Sequence, residues 1–198
     1  SPYNSYSAFA GNAQLIDIAA LQDLGFPALT STPNANTLTA SAPDYVRAAL
    51  QQQYDWFERQ HDGPLRQQFL QFAQNQHWLE DYCLFSALKE VHPQHWVEWP
   101  APLRDREPAA LQAFAAQYRQ QINFHRFAQF IFMTQWHRLK QYANGKGIAL
   151  FGDMPIFVAH DSVDVWSNRA LFKLDAQGNT TVIAGVPPDY FSAQGQRW

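Results

Sequence analysis

Residues 147–153 read Gly-Ile-Ala-Leu-Phe-Gly-Asp. A short unbroken apolar run placed directly after a helical stretch suits a strand buried on both faces, as in a parallel sheet. Asp153 stands where that strand would end. In a (β/α) barrel, a polar side chain at the carboxyl end of a strand faces the active site. A helix cap or a structural hydrogen bond is the competing reading for any single aspartate.

Upstream of this run lies the strongest helical pattern of the chain, from about Pro108 to Ala143. Phe124, Ala128, Phe132, Trp136, Leu139 and Ala143 recur at steps of three and four. Asn144-Gly145 is a helix stop signal. Further back, Pro64 opens a helix at the turn where proline is tolerated, with Leu65, Phe69 and Phe72 as its stripe and Asn75 as its break. The next helix carries Trp78, Tyr82, Phe85 and Leu88. Ser41 with Asp44 three residues on begins a capping-box pattern. A helix follows it on Tyr45, Ala49 and Trp56, with Val46, Leu50 and Phe57 alongside. Gln14 to Ile18 is a short extended candidate, residues 1–12 and 27–39 read as loops, and Pro93 to Pro102 is a Trp/Pro-rich connection.

Downstream, Asp161-Ser162 is placed to cap a short helix from Val163 to Trp166. Ala176 to Asn179 reads as a turn joining Leu171–Leu174 to Thr180–Ala184 in a hairpin. Gly185-Val186-Pro187-Pro188-Asp189-Tyr190-Phe191 is a stiff loop that displays two aromatic rings.

At 198 residues the chain has room for one domain, or one and a half, and its 46 % hydrophobic content supports a packed core. Lys+Arg 14 against Asp+Glu 17 leaves −3, so no basic excess suits a nucleic acid or a membrane surface. No apolar run approaches the roughly 18 residues of a membrane span. The single cysteine, Cys83, excludes an internal disulfide framework and a Cys-based zinc site, and fits a reducing compartment. His92 and His95 flank Pro93, which spoils helical presentation, and no third ligand is evident, so no metal is expected. No phosphate-cradling glycine loop appears, and no organic cofactor is expected. Aromatics make up 15 % of the chain. Most belong in a core, and some suit the lining of a site for flat, hydroxyl-rich ligands such as sugars. The chain starts at Ser1 without methionine and stops at Trp198 after a loop-like run. It is expected to be a piece of a larger protein, with a trimmed complete domain as the alternative.

Four stretches carry a resemblance: SPYNSYSAFAGN (Ser1–Asn12), HWLEDYCLFSALKE (His77–Glu90), GDMPIFVAHDSVDVW (Gly152–Trp166) and AGVPPDYFSAQGQRW (Ala184–Trp198). In this order and spacing the chain resembles 4-α-glucanotransferases of the amylomaltase (disproportionating enzyme) family. The resemblance implies an α/β fold: part of a (β/α)8 TIM barrel with a large, mostly helical inserted subdomain. Residues 1–40 would form a barrel βα loop and an early strand segment, 41–143 the helical insertion, and 144–198 a barrel strand with active-site loops. It implies transfer of α-1,4-glucan chains between maltooligosaccharides, with glucose as an acceptor, by a retaining two-carboxylate mechanism whose carboxyl groups sit about 5–5.5 Å apart. The nucleophile and the acid/base are expected beyond Trp198, so this segment holds no catalytic carboxylate and acts with the remainder of the same polypeptide. A cytoplasmic setting goes with that role. A non-catalytic glucan-binding piece, or part of an α-amylase-type glycoside hydrolase, are the other readings.

What the resemblance assigns to this segment is substrate binding. Tyr3 matches the ring that stacks on the sugar at the cleavage subsite, and Asp153 matches the aspartate that hydrogen-bonds that sugar's hydroxyls. Tyr190 and Phe191 match a loop beside the donor and acceptor subsites, and Trp198 matches a ring on the acceptor side. Asp44-Tyr45 is similar to a second glucan-contacting patch, with a plain surface or core tyrosine as the alternative for Tyr45. His160 reads as a satisfied structural histidine, Asp161 and Asp164 as loop-fixing and helix-capping groups, and Cys83 as a packed thiol.

Overall fold

The computed structural model describes residues 5–30, 42–153, 157–183 and 185–197. Among these the fold is mostly helical. Its helices are α1 (Ala42–Glu58), α2 (Pro64–Asn75), α3 (Leu79–Val91), α4 (Ala101–Arg104), α5 (Pro108–Gln117), α6 (Arg119–Gly145) and α7 (Val163–Ser167). Strands β1 (Gly185–Val186) and β2 (Gln196–Arg197) pair antiparallel near the end. The chain divides into two compact units. One comprises Ser1–Ala8, Lys89–Ala113 and Pro155–Trp198, the other Phe9–Leu88 and Phe114–Met154.

The larger unit is built on aromatic packing. Phe57 of α1 lies 5.2 Å from Phe69 of α2 and 5.2 Å from Phe127 of α6, and Phe69 in turn meets Phe130 at 5.6 Å. Leu50, Tyr54, Ile131, Leu21 and Phe26 belong to the same buried cluster. Burying one such side chain stabilises by about 1.5–3 kcal/mol, so these rings hold the helices together. The guanidinium of Arg66 covers the Phe57 ring at 3.9 Å and donates to the Phe57 and Gln60 carbonyls, closing the end of α1.

α6 also grips the segment that precedes it in space. The Gln129 amide pairs with both peptide groups of Gly11, accepting at 2.9 Å and donating at 2.8 Å. Six residues on, Gln135 does the same to Asp17 at 2.9 and 2.7 Å. Each amide mimics one rung of a sheet. The close approach needs glycine at position 11, because a Cβ there would collide with the Phe132 ring.

Four local expectations change. The hairpin expected from Leu171–Leu174 and Thr180–Ala184 is a single bridge between Leu174 and Thr180, since Leu171 belongs to a 3-10 turn, Arg169–Leu171, and Ala184 lies outside the described residues. Residues 14–18 do not extend: Ala13–Leu15 form a 3-10 turn because the Asn12 side chain accepts from the Gln14 N–H and caps it. The helical stretch from Pro108 is two helices, broken where Tyr118 leaves helical geometry and stacks on Phe114 at 4.4 Å. The apolar run 147–153 is not a strand and is not buried; Ile148, Leu150 and Phe151 are exposed. A buried parallel strand needs neighbours on either side, and β1 and β2 are the paired strands of the described residues. Ser41, half of the expected capping box, lies outside the described residues, while Asp44 does stand in the first turn of α1.

The smaller unit is organised by three tryptophans. Trp99 and Trp166 meet edge to face at 5.6 Å, and Trp96 is fully buried. Each indole N–H donates to a carbonyl: Trp96 to His160, Trp99 to His92 and Trp166 to Leu103. These three indole donors are satisfied, as the cost of burying an unpaired donor requires.

Candidate functional site

The sequence 185–197 folds into a hairpin loop braced by its own backbone. Gly185 faces Arg197 and Val186 faces Gln196 across β1 and β2. Pro187-Pro188 fix φ on the outgoing arm. The Asp189 carboxylate then accepts from the Phe191 N–H at 2.9 Å and the Ser192 N–H at 2.8 Å. The Asp189 N–H donates to the Ser192 carbonyl, and the Ser192 hydroxyl donates to the Gly195 carbonyl at 2.7 Å. Gly195 turns back at φ +71°, a conformation that favours glycine. With the polar groups tied inward, the two rings at the tip point to water. Tyr190 is 97 % exposed and Phe191 89 %, edge to face at 5.5 Å. Two adjacent aromatic rings left in water by a rigid turn suit a ligand with a flat apolar face.

The stretch 160–166 is anchored in the same unit. The Lys89 ammonium, at the end of α3, donates to Asp161 at 2.7 Å and to the Gln94 and Pro93 carbonyls at 2.8 and 3.1 Å. The second Asp161 oxygen accepts from the Trp96 N–H at 3.3 Å. His160 Nε2 meets the Gly178 carbonyl at 2.8 Å, and its ring lies against His95 (4.6 Å) and Trp96 (5.6 Å). Burial lowers the His95 pKa, Asp161 partly opposes this, and His160 and Lys89 reinforce it. Ser162 caps α7 by accepting from the Val165 N–H. The Asp164 carboxylate accepts from the Ala8 N–H at 2.8 Å; burial raises its pKa and this hydrogen bond lowers it. His160 and Asp161 thus hold neighbouring segments of this unit, whereas Asp164 ties Ala8 and leaves the capping of α7 to Ser162. Among the described residues, no three His, Cys, Asp or Glu side chains gather in a way that could hold a metal ion.

A sequence profile of the 4-alpha-glucanotransferase family matches residues 1–198. The chain belongs to the 4-alpha-glucanotransferase family. It is 43 % identical over 202 residues to the 4-alpha-glucanotransferase of Thermus thermophilus, covering 100 % of this chain and 40 % of that protein. To the Synechocystis enzyme of the same name it is 42 % identical over 207 residues, covering 41 % of that protein. Among solved structures it is similar to the amylomaltase from Streptococcus agalactiae in complex with acarbose, with a TM-score of 0.88 and 36 % identity over 100 % of this chain and 41 % of that one. The chain thus spans about two fifths of the length of these family members.

Of the residues singled out for the family's sugar site, Tyr3 and Trp198 lie outside the described residues. Tyr190 and Phe191 are brought together at the hairpin tip. Asp153 belongs to the larger unit and is exposed, at the end of the irregular run from Ile148. Tyr45 is half-buried in the first turns of α1, in that unit. The bracing role of Asp189 and Ser192 was not anticipated, although an Asp two residues after a Pro-Pro start is a recognisable turn signal. Nor was the Lys89 anchor, which no local pattern marks because its partner is 72 residues away.

Proposed function

We propose that this chain supplies the glucan-binding part of a 4-α-glucanotransferase. That enzyme cleaves an α-1,4-glucan, holds the glycosyl part covalently, and passes it to a sugar hydroxyl in place of water. The observation that carries the reading is the braced loop 185–197, with Tyr190 and Phe191 exposed on it, in a chain matched over its whole length by the family. Aromatic faces pair with the C–H faces of pyranoses and shed water from beside the reacting sugar, which favours transfer over hydrolysis.

In this reading Asp153 offers two acceptor oxygens to sugar hydroxyls, and hydrogen bonds that tighten in the transition state raise the rate. Tyr3 stacks on the same sugar, Trp198 lies on the acceptor side, and Tyr45 touches a second stretch of glucan. The nucleophilic and acid/base carboxylates belong to the remainder of the polypeptide, as does the rest of a TIM barrel that residues 1–40 and 144–198 would enter, with 41–143 as its helical insertion. Maltooligosaccharides are the substrates and glucose an acceptor. The compartment we propose is the cytoplasm, in keeping with the free, buried Cys83.

The test is product analysis with maltotriose, using the whole polypeptide that carries this chain. Longer oligosaccharides mark transfer, and a net gain of reducing ends marks hydrolysis. Tyr190→Ala raises the ratio of hydrolysis to transfer, and an unaltered ratio refutes the role given to the loop.

A further inference from the structure

Two histidines face each other in the smaller unit. The His95 and His160 rings lie 4.6 Å apart, inclined by 48°, and both pack against the buried Trp96. Their hydrogen bonds fix which nitrogen carries a proton. His95 Nδ1 accepts from the Val97 N–H at 3.3 Å and so caps the 3-10 turn Trp96–Glu98. That nitrogen is bare, and the neutral ring carries its hydrogen on Nε2. His160 Nε2 stands 2.8 Å from the Gly178 carbonyl, which only accepts, so its hydrogen is also on Nε2. A further proton acts differently on the two rings. On His160 it enters at Nδ1 and leaves the Gly178 bond in place. On His95 the open position is the lone pair that the Val97 N–H uses, so the proton removes the cap and sets one donor against another.

The groups around His95 weigh against that proton. Burial is the largest influence and lowers its pKa; His160 and Lys89 act in the same direction, while Asp161 and Glu98 oppose them. The Asp161 carboxylate is already taken by Lys89 and by the Trp96 N–H. Arg169, whose guanidinium lies over the Trp96 ring, is paired with Asp105. The turn that His95 caps also carries ties to residues 160–162: the Trp96 N–H donates to Asp161, and its indole N–H to the His160 carbonyl. We propose that His95 is a proton-operated latch, closed while Nδ1 is bare and opened by one proton there, which releases the turn 96–98 from residues 160–162. A charge on His160, 4.6 Å away, adds repulsion to the same effect. The closed form is the neutral one, so the latch is shut above about pH 6.5 and opens as pH falls. It operates whether or not the chain binds glucan.

The test is hydrogen exchange on the full polypeptide that carries this chain, at pH 7.5 and pH 5.5, corrected for the pH dependence of exchange itself. Protection of peptides covering residues 94–99 falls about fivefold at pH 5.5, within the roughly tenfold that one histidine allows a pH unit below its ordinary value. Peptides covering α2 of the larger unit keep theirs. His95→Asn places an amide oxygen where Nδ1 stands and cannot titrate; it keeps protection at pH 7.5 and changes less than twofold at pH 5.5. His95→Ala loses the cap and is open at both pH values. Nitrogen NMR of the imidazoles at pH 7.5 shows the Nε2–H form of His95. A parent response under twofold overturns the latch, and so does an equal fall over α2, which marks loosening of the whole chain. If His95→Asn falls as far as the parent, the proton acts elsewhere and the latch is refuted. If His95→Asn is already open at pH 7.5, or His95 carries its hydrogen on Nδ1, the acceptor nitrogen does not hold the turn and the latch is refuted as well.

Discussion

Replacing Lys89 by methionine tests what holds the stretch 160–166. The ammonium is 7 % exposed and all three of its donors are used, one on Asp161 and two on the Pro93 and Gln94 carbonyls. Methionine keeps the stem and removes the charge. It leaves a carboxylate without its cation and two carbonyls without a donor. Removing one partner of a buried ion pair costs about 3–5 kcal/mol. Asp161 keeps the Trp96 N–H and has 27 % of its side chain in water, which places the loss at the low end, about 3 kcal/mol. That raises the local opening equilibrium about a hundredfold. Hydrogen exchange read by mass spectrometry on peptides covering residues 94–99 and 160–167 reports it directly. The companion variant Lys89→Met/Asp161→Asn removes both charges. It should recover at least half of the lost protection, since removing both partners is often close to neutral. A loss of protection under threefold in Lys89→Met refutes the anchoring argument. A double variant worse than the single one means that the lysine stem, and not the ion pair, matters.

Three other outcomes follow from particular contacts. Gly11→Ala drives a Cβ into the Phe132 ring and costs about 1–3 kcal/mol as overpacking; an unchanged thermal midpoint refutes it. The half-buried His95 takes up a proton less readily than the unfolded chain does, so the unfolded state binds more protons and stability rises with pH. Its contribution is whole above about pH 6.5 and is lost as pH falls. The urea midpoint of the smaller unit should therefore drop between pH 7.5 and pH 5, and drop less in His95→Gln; equal drops exclude His95 as the cause. Cys83 is fully buried, and burial pushes its thiol pKa up. A thiol reagent should modify it only as the chain unfolds, and fast labelling of the folded protein would contradict that burial.

The helices of the larger unit could be read from spacing because their cause is local. Pro64 and Asn75 bound α2 as their backbone preferences require, and Leu50, Phe57 and Phe69 are buried as their periodicity demands. The pattern in α6 held only in part. Phe124 and Ala128 are buried, but Trp136 and Leu139 continue the same stripe into water. Periodicity tells which face of a helix is apolar, not whether anything lies against it. The candidate site divides in the same way. Two prolines and an Asp-x-x-Ser turn make the Tyr190-Phe191 loop recognisable from within its own dozen residues. The Lys89–Asp161 anchor and the Gln129 clamp join positions 72 and 118 residues apart, and no local pattern encodes such pairs.

The run 147–153 shows why the last step from sequence to fold is not local. Ile148, Leu150 and Phe151 have the composition of a buried strand, and Phe151 is fully exposed. A strand is stabilised by ladder bonds to neighbours and by apolar cover on both faces, and neither is a property of its own residues. Gly147 at φ +76° and the bond from the Ile148 N–H to the Ala143 carbonyl end α6. Local chemistry therefore delivers the segment to the point where a strand could begin. The ordering of residues 148–153 then depends on pairing that the described residues do not supply. The same dependence applies to Asp153: in the role proposed for it, its carboxylate needs the backbone before it to be held.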